Sequence, residues 1–219
     1  MSGVYSIAIL SLKGGVGKTT LAINLAVAAH RRGQHVFLAD IDPQHSSSDA
    51  LKMRKDAGPA VVKTTGPKLF QLRQAIERGG VDLLVIDTAP TSEAELLTAI
   101  NAADLSLVVS RPNFLDIVAA VRTADLVRRL GRVGQVVLNQ APSKRQGVET
   151  GVVVTAYEAL RFAALPVCPV GLRYRTAFQQ SIAHGLSAEE WGRDPAAAEE
   201  VARIWEVVEQ QRQLVRRSA

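Results

Sequence analysis

Lys13-Gly-Gly-Val-Gly-Lys-Thr-Thr20 stands between the apolar run Val4 to Leu12 and the Ala- and Leu-rich stretch Thr19 to Arg32. A strand that enters a glycine-rich turn and leaves it as a helix gathers backbone N–H groups and the positive helix end around one point, which suits phosphate oxygens. The glycines allow the backbone to come close. In such a loop Lys18 reaches the β- and γ-phosphates as a point charge, the Thr19 hydroxyl ligates magnesium, and Thr20 lies near the α-phosphate. Gly14, Gly15, Val16 and Gly17 supply the cradle, and the expected ligands are ATP and Mg2+. The first glycine of the common pattern is replaced by Leu12, with Lys13 directly after it. Two loop lysines are compatible once phosphate neutralises both, and Lys13 can then stabilise charge on the transferred phosphoryl group, within one site or across a dimer.

Working outward, Val4 to Leu12, Val36 to Ile41, Leu83 to Ile86, Leu105 to Val109 and Val133 to Leu138 are too continuously apolar for strands with one wet face. They read as buried strands. Thr19 to Arg32, Leu69 to Arg78, Ser92 to Asn101 and Leu115 to Leu130 carry helix formers, and three of these stretches run into Gly33, Gly79 or Gly131. The alternation predicts an α/β fold: a single P-loop NTPase domain over residues 1–219, with a mostly parallel twisted sheet and helices on both faces. Gln140 to Thr150 reads as a surface loop, Val152 to Ala163 as a helix, and Pro166 to Leu172 as a short strand. The last helix opens at Asp194 as N-cap with Pro195 behind it, and buries Val201, Ile204, Trp205, Val208 and Val215. His184 to Trp191 reads as a packed connection without an assigned role.

Asp87 ends the run Leu83 to Ile86, so it emerges at the carboxyl edge of the sheet, where open α/β sheets place ligands. It is assigned to magnesium, through water. Asp40 and Asp42 end the second strand, and alternate side chains point the same way, so both can face the loop. One can assist magnesium and the other position water.

Composition narrows the classes. There are 26 basic and 21 acidic residues, a formal charge of +5, too small an excess to identify a partner without knowing its distribution. No run is long and apolar enough for a membrane span and no cleavable leader is recognisable, so a soluble cytoplasmic protein is expected. The one cysteine, Cys168, excludes an internal disulfide, and two copies supply only half the four thiolates an iron–sulfur cluster usually takes.

Together, Lys13 to Thr20, Asp40-Ile-Asp-Pro-Gln44 and Val85-Ile-Asp-Thr-Ala-Pro90 resemble the deviant Walker A ATPases of the ParA/MinD superfamily. Arg111-Pro-Asn-Phe-Leu-Asp-Ile117 and Arg173-Tyr-Arg-Thr-Ala-Phe178 add weaker support for its small ParA, ParF-type members. The resemblance implies that Lys13 crosses the interface of an ATP sandwich dimer, that Asp42 orients the attacking water, and that Asp40 and Asp87 serve magnesium. It also implies that Asn139 lies near the adenine base, although an asparagine closing a strand can equally cap its own loop. The implied function is a slow, partner-stimulated ATPase that dimerises on ATP, binds nucleoid DNA without sequence preference, and answers to a ParB-like or ParG-like activator. Plasmid or chromosome partition and the positioning of a protein cargo both fit. A membrane-bound regulator of the MinD kind and a metabolic P-loop ligase are the alternatives.

Arg203, Arg212, Arg216 and Arg217 on or after the last helix are candidate DNA-phosphate contacts, diluted by Glu199, Glu200, Glu206 and Glu209. Lys144, Arg145, Arg173 and Arg175 are further candidates. Leu214 and Val215 are too little apolar surface for stable membrane insertion.

Overall fold

The apolar runs pair as one parallel sheet of β1 (Tyr5–Leu10), β2 (Val36–Asp40), β3 (Ala60–Lys63), β4 (Leu83–Asp87), β5 (Leu105–Ser110) and β6 (Gly134–Leu138). The computed structural model describes residues 3–90 and 93–218. The strand order is β3-β2-β4-β1-β5-β6, which puts β1, the strand that feeds the glycine-rich loop, in the interior of the sheet.

Alternation along each strand divides the core in two. Ile7 and Ile9 of β1, Leu38 of β2, and Leu83 and Val85 of β4 pack beneath α1 (Lys18–Arg31) and the last helix, α9 (Pro195–Ser218). Ala8, Leu10, Leu84 and Ile86 face the other way, beneath α3 (Leu69–Arg78), α4 (Glu93–Ala102), α5 (Phe114–Arg129) and α6 (Gly151–Leu160). Both sheet faces are therefore dry, as the unbroken apolar runs require, and each fully buried Leu or Ile contributes about 2 kcal/mol.

Three short α-helices, α2 (Ser46–Leu51), α7 (Thr176–Ile182) and α8 (Ala188–Trp191), and one 3-10 turn at Gly66–Lys68 complete the described residues' helical elements. Arg54, just beyond α2, forms a bidentate pair with Glu190 of α8 at 2.8 and 2.9 Å and donates to the Gly185 carbonyl at 2.9 Å. The segment after β2 is thereby fastened to the connection that leads into α9. That connection is packed, as expected: Ser187 and Glu190 form a capping box, and the His184 and Trp191 rings lie 5.0 Å apart. Asp194 caps α9 by accepting from Ala196 N and Ala197 N at 3.1 Å.

Two elements go beyond the sequence expectations, and one expectation is corrected. Ala60–Lys63 is an edge strand that its half-exposed residues did not announce, and α2 is a helix despite its run of serines. Pro166 to Leu172 is not a strand. It runs beside β6 with Cys168 N and Leu172 N bonded to Val136 and Leu138 carbonyls, but Pro166 and Pro169 have no N–H to give, so the ladder stays at isolated bridges. The helix expected from Ser92 is seen from Glu93 onward, and Ser92 itself lies outside the described residues.

Candidate functional site

The loop after β1 is held from behind by two amides. Asn139, at the end of β6, donates through Nδ2 to the Val16 carbonyl at 2.7 Å and accepts from Gln140 N at 2.8 Å, and Gln140 Nε2 reaches the Gly15 carbonyl at 2.9 Å. Gly17 has φ +91°, and a Cβ there would lie 2.0 Å from Asn139 Nδ2, so both backbone conformation and space demand glycine. Gly17 is also the N-cap of α1, with no side chain capping the helix and no acidic residue in its first turn. The first-turn N–H groups and the helix dipole are thus left for an anion.

Lys18 is buried, and its ammonium donates to the Lys13 carbonyl at 3.2 Å. Burial lowers its pKa, while the charges of Asp87 and Asp42 act in the opposite direction. Lys13 is half-buried, its backbone N–H bonds to Ser11 Oγ at 3.2 Å, and its own ammonium makes no hydrogen bond or ion pair with the described residues.

The three aspartates share one edge of the sheet, with Asp40 and Asp87 paired in register across β2 and β4. Their circumstances differ. Asp87 is fully buried, and neither of its carboxylate oxygens has a hydrogen-bond partner. Burial pushes its pKa up to about 7; the hydroxyls of Thr19 and Ser47 face it and favour the charged form, Asp40 opposes that form, and Lys18 supports it. Neither hydroxyl closes a hydrogen bond of normal geometry to the carboxylate. Asp40 is equally buried but engaged: it accepts from Ser48 N at 2.9 Å and Asp42 N at 3.2 Å, and lies 3.7 Å from His45 Nδ1. Asp42 is half-exposed and accepts from Gln44 N at 2.8 Å. Orphaned carboxylate oxygens beside the Thr19 hydroxyl form an oxygen donor set suited to a hard cation such as Mg2+, which takes few protein ligands alongside phosphate and water. Asp87 has two uncommitted oxygens to offer such a site, whereas the oxygens of Asp40 already hold the turn into α2.

Next to Asn139 a cleft of about 100 Å³ is lined by Thr20, Gln140, Tyr174, Phe178 and Gln179. Asn139 borders this cleft, but its amide braces the loop, so the capping alternative describes the bonds it makes. Gln140 and Tyr174 are candidates to face a base that the sequence did not single out; Tyr174 lies within the Arg173 to Phe178 segment, but nothing in that segment marks it for a base.

On the basic face, Arg203, Arg216 and Arg217 are exposed along α9, whereas Arg212 is 4% exposed. Its guanidinium bonds to Gln34 Oε1 at 3.0 Å and the Asp82 carbonyl at 2.9 Å, pairs with Glu209 at 3.3 Å, and lies 5.6 Å from the Tyr5 ring centroid. Arg212 therefore locks α9 onto the sheet and is withdrawn as a DNA contact. Arg173 pairs with Glu149, and Arg175 with Glu200 at 2.8 Å and Asp194 at 3.4 Å, so they too are structurally engaged. Lys144 lies 3.6 Å from Glu149, and Arg145 is exposed. Among the described residues no helix is long and apolar enough to cross a membrane.

The family model described as the CobQ/CobB/MinD/ParA nucleotide binding domain matches residues 7–188. The chain belongs to this family. The resemblance drawn from Lys13 to Thr20 and the aspartate segments is borne out, and the fold is that of a ParA/MinD-type P-loop ATPase. One curated relative, the maintenance of carboxysome distribution protein A of Gloeobacter kilaueensis, is 33% identical over 197 residues, covering 88% of each chain. Among solved structures, the ATP complex of a Cyanothece McdA variant superposes with a TM-score of 0.79 at 17% identity, covering 95% of this chain and 97% of that one. The septum site-determining protein MinD of Pyrococcus horikoshii, complexed with Mg-ADP, gives 0.74 at 16%, covering 94% and 96%. At these identities the two structures speak for the fold, and the ligands in them accord with ATP and Mg2+ at this loop.

Proposed function

We propose that this chain is an ATP-dependent dimerising switch that positions a cargo along nucleoid DNA. The observation that carries the reading is Lys13: a second lysine in the phosphate loop whose ammonium has no partner among the described residues, while its carbonyl orients Lys18. In one copy the backbone N–H groups from Gly14 to Thr20 and the Lys18 ammonium bind the phosphates, and Thr19 with Asp87 would hold the magnesium, which would supply neutralisation of phosphate charge. Lys13 reaches across to the phosphates of a second copy, so two copies close only over ATP. Asp42, at the mouth of the site, orients the attacking water, and its loss leaves binding intact while removing hydrolysis.

The exposed Arg203, Arg216 and Arg217 supply phosphate contacts that read no sequence, and a partner protein stimulates otherwise slow hydrolysis to release the dimer. Similarity to a carboxysome distribution protein favours a protein assembly as cargo over a plasmid or chromosome. Cytoplasmic, nucleoid-associated localisation follows from this reading. A membrane-bound role is not favoured, because Val215 packs against the core and leaves only Leu214 exposed near the end of α9.

The test is binding of purified Asp42→Ala to a random-sequence DNA duplex with ATP or ADP across a salt series, with molar mass recorded. A dimer and salt-sensitive DNA binding with ATP alone support the switch. Monomer in both nucleotides, with no DNA binding, overturns it.

A further inference from the structure

Ser47 is fully buried in α2, and its hydroxyl has no hydrogen-bond partner of normal geometry. A buried hydroxyl left unsatisfied costs about 1–3 kcal/mol. Hydroxyl residues in helices ordinarily relieve that by bonding to the carbonyl four residues back, as Thr123 does with Ala119 at 2.9 Å. Ser47 has no such outlet, because it is the second residue of α2 and the residue four back, Pro43, precedes the helix. The start of α2 lies beside Asp87, because Ser48 N bonds to Asp40 and Asp40 is the register partner of Asp87, whose two oxygens are also buried and without partners. The Ser47 hydroxyl favours the charged form of that carboxyl. Three unsatisfied polar atoms from two separate elements therefore meet beside the phosphate loop.

We infer that Ser47 is a positioning residue of the magnesium site, ordering the cation's water shell together with Asp87. A hydroxyl suits this place because it can donate its hydrogen to the carboxylate while its lone pairs accept from a cation-bound water. Outer-sphere oxygens of this kind fix the direction of the ligand that touches the metal. Ser48 is the natural control. It is equally buried and its hydroxyl is likewise unpartnered, but it already serves Asp40 through its backbone N–H. The inference rests on the ATP-switch reading and deepens it.

The experiment measures affinity of the full chain for an N-methylanthraniloyl-ATP probe in EDTA and across a Mg2+ titration. It compares wild type with Ser47→Ala, Ser47→Cys and Ser48→Ala, and records nucleotide-free melting for each. Ser47→Cys keeps the shape with a slightly larger atom in place of the oxygen, so that with Ser47→Ala the site is tested from both the smaller and the larger side. The expected result is EDTA affinity near the wild-type value and a Mg2+ midpoint raised about tenfold in both Ser47 variants, without a shift in Ser48→Ala. An unshifted midpoint in the Ser47 variants overturns the inference, as does an equal loss of affinity with and without Mg2+, which marks a packing role. Wild type that binds the probe without any response to Mg2+ overturns the switch reading itself, and this inference with it.

Discussion

A carboxylate whose pKa is pushed to about 7 makes Asp87 a proton-binding site of the folded chain when nucleotide and divalent cation are absent. Its ordinary value is 3.8, so between that pH and about 7 the folded state holds a proton that the unfolded state has released. Stability consequently falls as pH rises through this window, and the full penalty, on the order of a few kcal/mol, is present above it. In EDTA, the wild-type melting midpoint is expected to rise when pH is lowered from about 8 to 6. Asp87→Asn is expected to melt higher at pH 8 and to lose most of the slope; equal slopes would contradict the assignment. At Gly17, substitution by Ala is expected to cost about 2–4 kcal/mol, combining left-handed strain with displacement of the Asn139 amide. In an Asn139→Ala background only the strain remains, so a double-mutant cycle by denaturant melting should show coupling of about 1 kcal/mol or more. The glycine requirement was legible in the loop motif, but its second cause was not, because the colliding side chain arrives from the far end of β6. Ser47 was illegible for a similar reason: the serine run after Gln44 is visible in sequence, but its approach to Asp87 depends on the register of β2 against β4.

Most elements could be read because two dry sheet faces leave unbroken apolar runs and because three of the helices between them, α1, α3 and α5, run into glycine. The failures have separate causes. Ala60–Lys63 lies at the sheet edge with its residues half-buried or exposed, and α2 opens on three serines and an aspartate, poor helix formers, fastened by the Ser48 N bond to Asp40. Arg212 was misread by chemistry alone. It follows Val208 by four residues, the interval that returns a helix to the same face, so spacing already put it with Val201, Ile204 and Trp205. This predicts a division within α9. Arg212→Ala should cost about 2–4 kcal/mol in denaturant unfolding, since it strands the Asp82 carbonyl and Glu209 beside a vacated site. Arg203→Glu with Arg217→Glu should leave folding within about 0.5 kcal/mol and weaken binding to unrelated DNA sequences alike. Unchanged DNA affinity would move the interface to another face.

The proposed dimer separates two lysines that the motif sets side by side. Lys18→Ala is expected to abolish nucleotide binding, whereas Lys13→Ala should retain ATP and fail to double in mass, as read by light scattering of the Asp42→Ala background with ATP. A dimer that survives loss of Lys13 would place the cross-subunit contact elsewhere. The position of β1 carries one more consequence, in the order in which the chain is made. β1 comes first in sequence, yet its hydrogen-bonded neighbours are β4 and β5, and the loop it feeds is braced by Asn139, which follows later still. The phosphate loop must therefore wait, unfinished, while more than half the chain is synthesised, and such distant pairings also slow refolding. A nascent chain ending before Leu105 should bind no ATP, so nucleotide capture reports completed folding and an unfinished copy cannot enter the switch.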